Sequence, residues 1–173
     1  MWSRRAFVIA AVALGVAGCN VRPLYYAGGA GGALSPVPDL KAIVVDPPSD
    51  RVGQELRNEL LFLFRGDGGG PDQELYRLRF ITEYTTDPLA IEVEEDLPAA
   101  VLLTLNSTFI LSEIATQKTL LTGSSTTTAS YDFSSQRFSN VRADRDAGTR
   151  AAKIMAQNIG ARIAAYFAAK RGA

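Results

Sequence analysis

The sequence predicts a two-layer α+β domain in the order β-α-β-β-β-α, with two helices packed on one face of a mostly antiparallel four-stranded sheet. Four segments are rich in β-branched and aromatic residues, which is typical of strands. Two other segments carry apolar residues at intervals of three and four, which indicates helices that bury one face. A single layer of helices against a single sheet buries the apolar faces of both.

The first strand and the first helix follow each other closely. Residues 41–46 contain a short β-branched run that stops at Pro47 and Pro48, which predicts the first strand. Ser49 or Asp50 provides an N-cap for the helix that follows. Gly66 predicts the end of that helix near Arg65, since glycine is the usual residue after a helix. The apolar face of this helix is formed by Val52, Leu56, Leu60 and Leu63.

Three further strands follow. Residues 75–84 alternate, which places Arg77, Arg79, Ile81 and Glu83 on the outward face of the second strand. A break is predicted at residues 87–98. Residues 101–114 and 120–133 predict the third and fourth strands, joined by a turn at 115–118 into a long antiparallel hairpin.

The last helix is predicted to begin at Asp144 or Asp146, either of which suits an N-cap. Its apolar spacing continues almost to the end of the sequence. The face predicted to pack on the sheet consists of Ala151, Ile154, Met155, Ile159, Ile163, Tyr166 and Phe167.

The N-terminus has the pattern of an export signal. Arg4 and Arg5 precede an apolar run of eleven residues, 6–16, which is too short to cross a bilayer that requires about 20. Residues 16–19, Val-Ala-Gly-Cys, resemble the lipobox of bacterial lipoproteins, in which the cysteine is acylated and becomes the first mature residue. We therefore predict a signal peptide at 1–18, an acylated N-terminus and tether at 19–39, and one domain at 40–173. By resemblance to enteric lipoproteins, Asn20 favours transfer to the outer membrane.

Composition excludes several kinds of chemistry. The chain has no His, and its single Cys is Cys19, the predicted lipidation site. Histidine-dependent nucleophiles, histidine zinc sites and thiol catalysis are therefore absent. Loss of Arg4 and Arg5 leaves 16 basic against 18 acidic side chains, which gives no electrostatic case for nucleic-acid binding. We expect a protein that is not an enzyme and has no cofactor or metal apart from the covalent lipid on Cys19.

One acidic segment leaves alternatives open. Residues 92–96 contain three glutamates and Asp96. Such a segment is compatible with a Ca²⁺ site or with a carboxylate pair for glycoside hydrolysis. No ligand spacing supports either one, and a solvated acidic loop accounts for the same residues.

Several segments together resemble the LptE family of lipopolysaccharide-assembly lipoproteins. Residues 19–25, Cys-Asn-Val-Arg-Pro-Leu-Tyr, resemble the family's start after the lipobox, and residues 129–132 resemble the end of its fourth strand. Asp146-Ala147 and the helix to Phe167 resemble its closing helix. Two departures are Asn20-Val21, where Gly-Phe is commoner, and residues 98–100, where relatives often carry an arginine.

The resemblance implies a non-enzymatic subunit of the lipopolysaccharide translocon. Family members plug a large outer-membrane β-barrel of the LptD type, support its assembly and bind lipopolysaccharide. The hydroxyl-rich residues 124–128 suit a polar barrel lumen, although a plain solvent-exposed strand face has the same composition. Because lipopolysaccharide carries phosphates, Arg77, Arg79 and Lys118 are the candidate contacts. The two arginines also suit ordinary ion pairs with Glu83 or other cross-strand acids.

Two other classes of function remain open from the sequence. One is a periplasm-facing lipoprotein that binds a ligand or serves an ABC-type export system, and it predicts an inner-membrane partner or a deep apolar pocket. The other is an exported carboxylate hydrolase, which no residue pattern supports.

Overall fold

The structure is a computed structural model, and it describes residues 37–66, 73–92 and 97–172. The described residues form a four-stranded sheet with two long helices and one short helix, and the predicted α+β class is confirmed. Cys19 and most of the predicted tether lie outside the described residues, as do residues 93–96 of the acidic segment. The elements are α1 (Val37–Lys41), β1 (Ile43–Val45), α2 (Arg51–Arg65), β2 (Tyr76–Glu92), β3 (Leu97–Glu113), β4 (Thr119–Asp132) and α3 (Arg137–Gly172).

The strands lie in the order β1-β2-β3-β4. β1 pairs with β2 in parallel, with Val45 opposite Leu78, and α2 provides the long connection that parallel neighbours need. β2, β3 and β4 are antiparallel, with Phe80 opposite Phe109 and Phe109 opposite Gly123. Both long helices pack on one face of this sheet, so the opposite face is left uncovered by the described chain.

The break predicted at 87–98 is wrong, because β2 and β3 continue through it as a hairpin up to Glu92 and Leu97. Pro88 and Pro98 suggested an interruption, since proline donates no ladder hydrogen bond. β1 ends opposite Leu78, however, and β4 ends opposite Ala100, so both prolines lie where their strand has only one neighbour. Register shifts beside Ala90 absorb the remaining irregularity.

α2 begins and ends where the sequence predicts. Of the two predicted caps it uses Asp50, whose Oδ2 accepts a hydrogen bond of 2.8 Å from the Gly53 N–H. Gly66 follows the helix with φ 77°, a left-handed conformation that suits glycine. The same Asp50 carboxylate accepts a hydrogen bond from the Thr82 hydroxyl at 3.0 Å, so the cap also ties the helix to β2.

α3 begins at Arg137, so the predicted start at Asp144 or Asp146 is wrong. Its first residues have no buried stripe, which is the signal that located the helix in the sequence; Phe138 is 87% exposed. The Asn140 side chain connects this start to the preceding turn, since it accepts from the Ser134 N–H and donates to the Ser134 carbonyl. Ile154, predicted on the packed face, is 43% exposed and is the second correction.

The short helix α1 contains residues 37–39, which the sequence assigned to the tether. Leu40 is fully buried, and Asp39 forms an ion pair of 2.6 Å with Arg171 at the end of α3. Tyr76 donates to Asp39 at 3.4 Å and packs on Phe167, with ring centroids 4.8 Å apart. Burial first, and then the Asp39 carboxylate, raise the pKa of Tyr76.

Candidate functional site

The uncovered face of the sheet is the first candidate surface of the described chain. Alternation along the strands turns one set of side chains away from the helices, and cross-strand pairing arranges them in rows. Glu83, Asn106 and Thr126 form one such row, in which the Thr126 hydroxyl donates to the Asn106 side chain at 2.8 Å. Other polar members of this outer face are Thr85, Thr104, Thr108, Thr122, Ser124, Thr128 and Ser130.

Two of the three predicted lipopolysaccharide contacts lie together at one end of this outer face. Arg77 and Arg79 share the carboxylate of Asp46, at 3.8 Å and 3.2 Å. Their acidic partner is thus Asp46, which follows β1 on the neighbouring strand, so the predicted alternative of an ordinary cross-strand ion pair is met by Asp46 and not by Glu83. Two guanidinium groups against one carboxylate leave one net positive charge, and the Arg79 side chain remains 60% exposed. Such a group can exchange a carboxylate for a phosphate.

Lys118, the third predicted contact, lies in the turn between β3 and β4. This turn includes Gln117 at φ 55° and is closed by a 2.9 Å hydrogen bond from the Glu113 N–H to the Lys118 carbonyl. Because Glu113 is opposite Tyr76, the turn lies at the end of the sheet where β2 begins, near Arg77. The three predicted cations therefore share one end of the sheet, but the described contacts do not join Lys118 to either arginine.

A second cationic surface at the start of α3 was missed in the sequence. Phe138 and Val141 are exposed, and Arg142 and Arg145 follow at three- and four-residue spacing. Arg145 borders a cleft of about 240 Å³ between α2, α3 and the β2–β3 hairpin. The available sequence signal was a repeat of apolar and cationic residues along one helical face. The predicted helix start at Asp144 or Asp146 left most of these residues outside the helix. The cleft is lined by Asp50, Arg51, Val52, Tyr84, Leu103, Asp144, Arg145 and Gly148.

The opposite, helix-facing side of the sheet contains an unusual polar patch. Ser107 lies opposite Ser125 beneath α3, and the neighbouring Thr127 is also buried. The hydroxyls of Ser107 and Thr127 have no hydrogen-bond partner in the described chain. The middle of β4 is therefore polar on both faces, a pattern that leaves strand register weakly specified by burial alone.

Clusters of metal-ligating side chains are absent from the described ranges. No three His, Cys, Asp or Glu side chains among residues 37–66, 73–92 and 97–172 are grouped so as to hold a metal ion. Within the same ranges, no helix combines the length and the apolar character needed to cross a bilayer.

Three solved structures that share this fold are described as lipoproteins. A protein from Caulobacter crescentus CB15, described as a lipoprotein, aligns with a TM-score of 0.63 and 18% identity, covering 76% of this chain and 96% of that one. A minor lipoprotein from Acinetobacter baumannii aligns with a TM-score of 0.50 and 20% identity, covering 71% and 88%. Rare lipoprotein B from Shewanella oneidensis aligns with a TM-score of 0.54 and 12% identity, covering 71% and 92%. At these identities the likeness establishes the fold alone.

The sequence itself identifies the family. No curated protein matches this chain by sequence. The family model LptE, described as lipopolysaccharide-assembly, matches residues 40–163, which is most of the chain and nearly all of the predicted domain. The match includes α2, the whole sheet and α3 as far as residue 163. The chain therefore belongs to the LptE family of lipopolysaccharide-assembly proteins.

Proposed function

We propose that this protein is the lipoprotein subunit of an outer-membrane lipopolysaccharide translocon, where it plugs an LptD-like β-barrel and supports the assembly of that barrel. Membership of the LptE family supports this role. The single structural feature that carries the proposal is the uncovered outer face of the sheet, on which Ser and Thr hydroxyls are the commonest groups, with Ile81 and Ile110 as exposed apolar members.

The outer face suits a barrel lumen for a physical reason. The inside of a large outer-membrane barrel is polar, so a plug must offer hydrogen bonds without burying many charges. Thr108, Ser124 and Thr126 provide short polar side chains that cost little conformational entropy when they are buried. The alternative of a ligand carrier predicts a deep apolar pocket, whereas half of the residues that line the described cleft are charged.

The membrane attachment in this proposal is the lipid on Cys19. Two or three acyl chains give a lasting anchor, whereas a single chain binds only marginally. The domain then faces the periplasm or the barrel lumen, at the end of a tether of about twenty residues.

Lipopolysaccharide offers phosphates and acyl chains to the protein. The three predicted cations Arg77, Arg79 and Lys118 supply charge for the phosphates. The surface at the start of α3 supplies apolar and cationic groups together, because Phe138 and Arg142 lie one helical turn apart. We include both surfaces as candidate lipopolysaccharide contacts.

Affinity purification tests the main proposal. The tagged full-length chain is extracted from membranes in mild detergent, and its partners are identified and quantified by mass spectrometry. We expect a large outer-membrane barrel at near-equal amount. A Thr108→Trp variant should lower the recovery of the barrel, whereas Asn58→Trp, on the exposed side of α2, should not. Recovery with inner-membrane transporter subunits alone would overturn the plug and favour the ABC-export alternative.

Binding of purified lipopolysaccharide separates the two candidate surfaces. The double variant Arg77→Ala/Arg79→Ala removes one pair of cations, and Arg142→Ala/Arg145→Ala removes the other. Loss of a charged contact typically weakens binding by about 1.5–3 kcal/mol, or roughly ten- to a hundred-fold. Unchanged affinity in both double variants would refute the assignment of lipopolysaccharide contacts to these surfaces.

A further inference from the structure

The outer edge of β4 is held at two points by arginines from α3. Arg162 donates to the Ser124 carbonyl at 2.5 Å, and Arg150 donates to the Ser130 carbonyl at 3.0 Å. Twelve helical residues rise about 18 Å, and six strand residues span about 20 Å. The two arginines, here called the β4 clamps, therefore match the strand in spacing.

Between the β4 clamps lies a stretch of edge without a backbone partner. Alternate residues of a strand direct their N–H and C=O groups to the same side, so Thr126 and Thr128 point outward as Ser124 and Ser130 do. β4 is the last strand of the sheet, and no described residue pairs with these two peptide groups. An unpaired edge of this kind is a template for an added strand.

The opposite edge of the sheet is treated differently. β1 has only three residues, and α2 covers both of its outward carbonyls: Arg65 donates to Ile43 at 2.6 Å and Arg57 to Val45 at 3.1 Å. β1 ends opposite Leu78, so the rest of β2 also has no neighbouring strand on this side. Within the described chain, the β4 interval is distinguished by the α3 arginines that bound it at both ends.

The side of α3 between the two clamps is also exposed. Ile154 and Asn158 follow Arg150 at four-residue spacing and precede Arg162, so all four lie on one side of the helix. Ile154 and Asn158 are exposed next to the free edge. A strand added along β4 would lie beneath this side of α3 and cover Ile154.

We propose that an extended segment of the barrel partner adds to the sheet as a fifth strand on β4, hydrogen-bonded to Thr126 and Thr128 between the clamps. This proposal rests on the proposed function and names the site at which the barrel engages the chain. The interval admits a short strand of about five residues, because the clamped carbonyls at Ser124 and Ser130 are already occupied.

Charge decides what kind of segment fits. Arg162 has no acid within ion-pair distance in the described chain, and Lys153 is exposed on the same helix. A partner segment with a carboxylate at the end near Arg162 complements this charge. A second copy of this chain fits poorly, since antiparallel pairing of two β4 strands would bring Arg162 of one copy beside Arg150 of the other.

Proline substitution tests strand addition directly. Thr126→Pro and Thr128→Pro each remove one outward N–H, and proline is tolerated at a strand edge. The matched controls Thr126→Val and Thr128→Val lose the hydroxyl but keep the N–H. The full-length variants are purified from membranes, and the recovered barrel is quantified against wild type. We expect each proline variant to recover at least tenfold less barrel than the valine variant at the same position, which has lost the same hydroxyl.

The outcomes separate the two proposals. If the proline and valine variants recover equal amounts of barrel, strand addition is overturned while the plug role stands. Failure of the wild-type chain to recover a barrel overturns both. If circular dichroism shows that the prolines unfold the chain, a photo-crosslinking residue at position 154, which the added strand would cover, decides, with position 58 on α2 as its control. A crosslink to the barrel from 154 and not from 58 supports the proposal; a crosslink to a second copy, or none, overturns it.

Discussion

Gly123 makes room in the edge strand for the ring of its cross-strand neighbour, and filling that room should destabilise the domain. A Cβ at position 123 would lie 2.8 Å from Cζ and 3.0 Å from Cε1 of Phe109, a ring that is 1% exposed and cannot swing into solvent. Overpacking of this kind costs roughly 1–3 kcal/mol. The backbone gain from replacing glycine is about 0.5–1 kcal/mol. We therefore expect Gly123→Ala to lower the free energy of unfolding by about 1–2 kcal/mol.

The assay is thermal and chemical unfolding followed by circular dichroism. A loss of this size corresponds to a fall in Tm of roughly 2–8 °C for a domain of this length. Gly148→Ala is the matched control, because its Cβ would meet only Val52 Cγ2 at an ordinary 3.4 Å and a helix favours alanine. In a Phe109→Leu background, Gly123→Ala should cost nothing. Equal losses in both backgrounds would refute the steric explanation.

Three other predictions concern charge and capping. Asp46→Asn frees Arg79 from its ion pair, so the affinity for lipopolysaccharide should rise several-fold at low salt and fall more steeply as salt is added. The free energy of unfolding should change by less than about 1 kcal/mol. An unchanged salt dependence of binding would contradict this prediction. Burial raises the pKa of Tyr76 and Tyr131, so the folded state holds these phenol protons more tightly than the unfolded state. Their contribution to stability is complete below about pH 10 and is lost as pH rises through the folded pKa. In Tyr76→Phe, the free energy of unfolding measured in urea should therefore fall less between about pH 9 and 11 than it does in the wild type. Asp50→Ala removes the N-cap of α2 and should lower the free energy of unfolding by about 0.5–2 kcal/mol, whereas Asp50→Asn should stay close to wild type. Equal unfolding midpoints for the two variants would exclude the cap as the cause.

Local chemistry made much of the fold predictable from the sequence. Alternation in residues 75–84 correctly separated the buried Tyr76 and Leu78 from the outward Arg77 and Arg79. Asp50 and Gly66 marked the ends of α2 because their side-chain and backbone preferences act within a few residues. Such signals depend only on residues within the segment, so the tertiary contacts formed on folding do not alter them.

The failures arose where distant segments decide the structure. Pro88 indicates a break only if its strand has two neighbours, and strand number is not written in the segment. The start of α3 extends beyond the core, so it carries no buried stripe and is held instead by Asn140. The partner of Arg77 and Arg79 is Asp46, a residue brought next to β2 only by the parallel pairing of β1.

β4 shows how tertiary contacts supply what a strand's own sequence lacks. Its residues 124–128 are polar on both faces, so a slip by two residues would bury and expose similar side chains. Two features oppose such a slip: Gly123 must lie opposite the Phe109 ring, and Arg150 and Arg162 must meet the Ser130 and Ser124 carbonyls. Both features depend on neighbouring elements, since the arginines belong to α3. The helix therefore fixes the strand's register, and in doing so it also fixes which two peptide groups remain open to a partner.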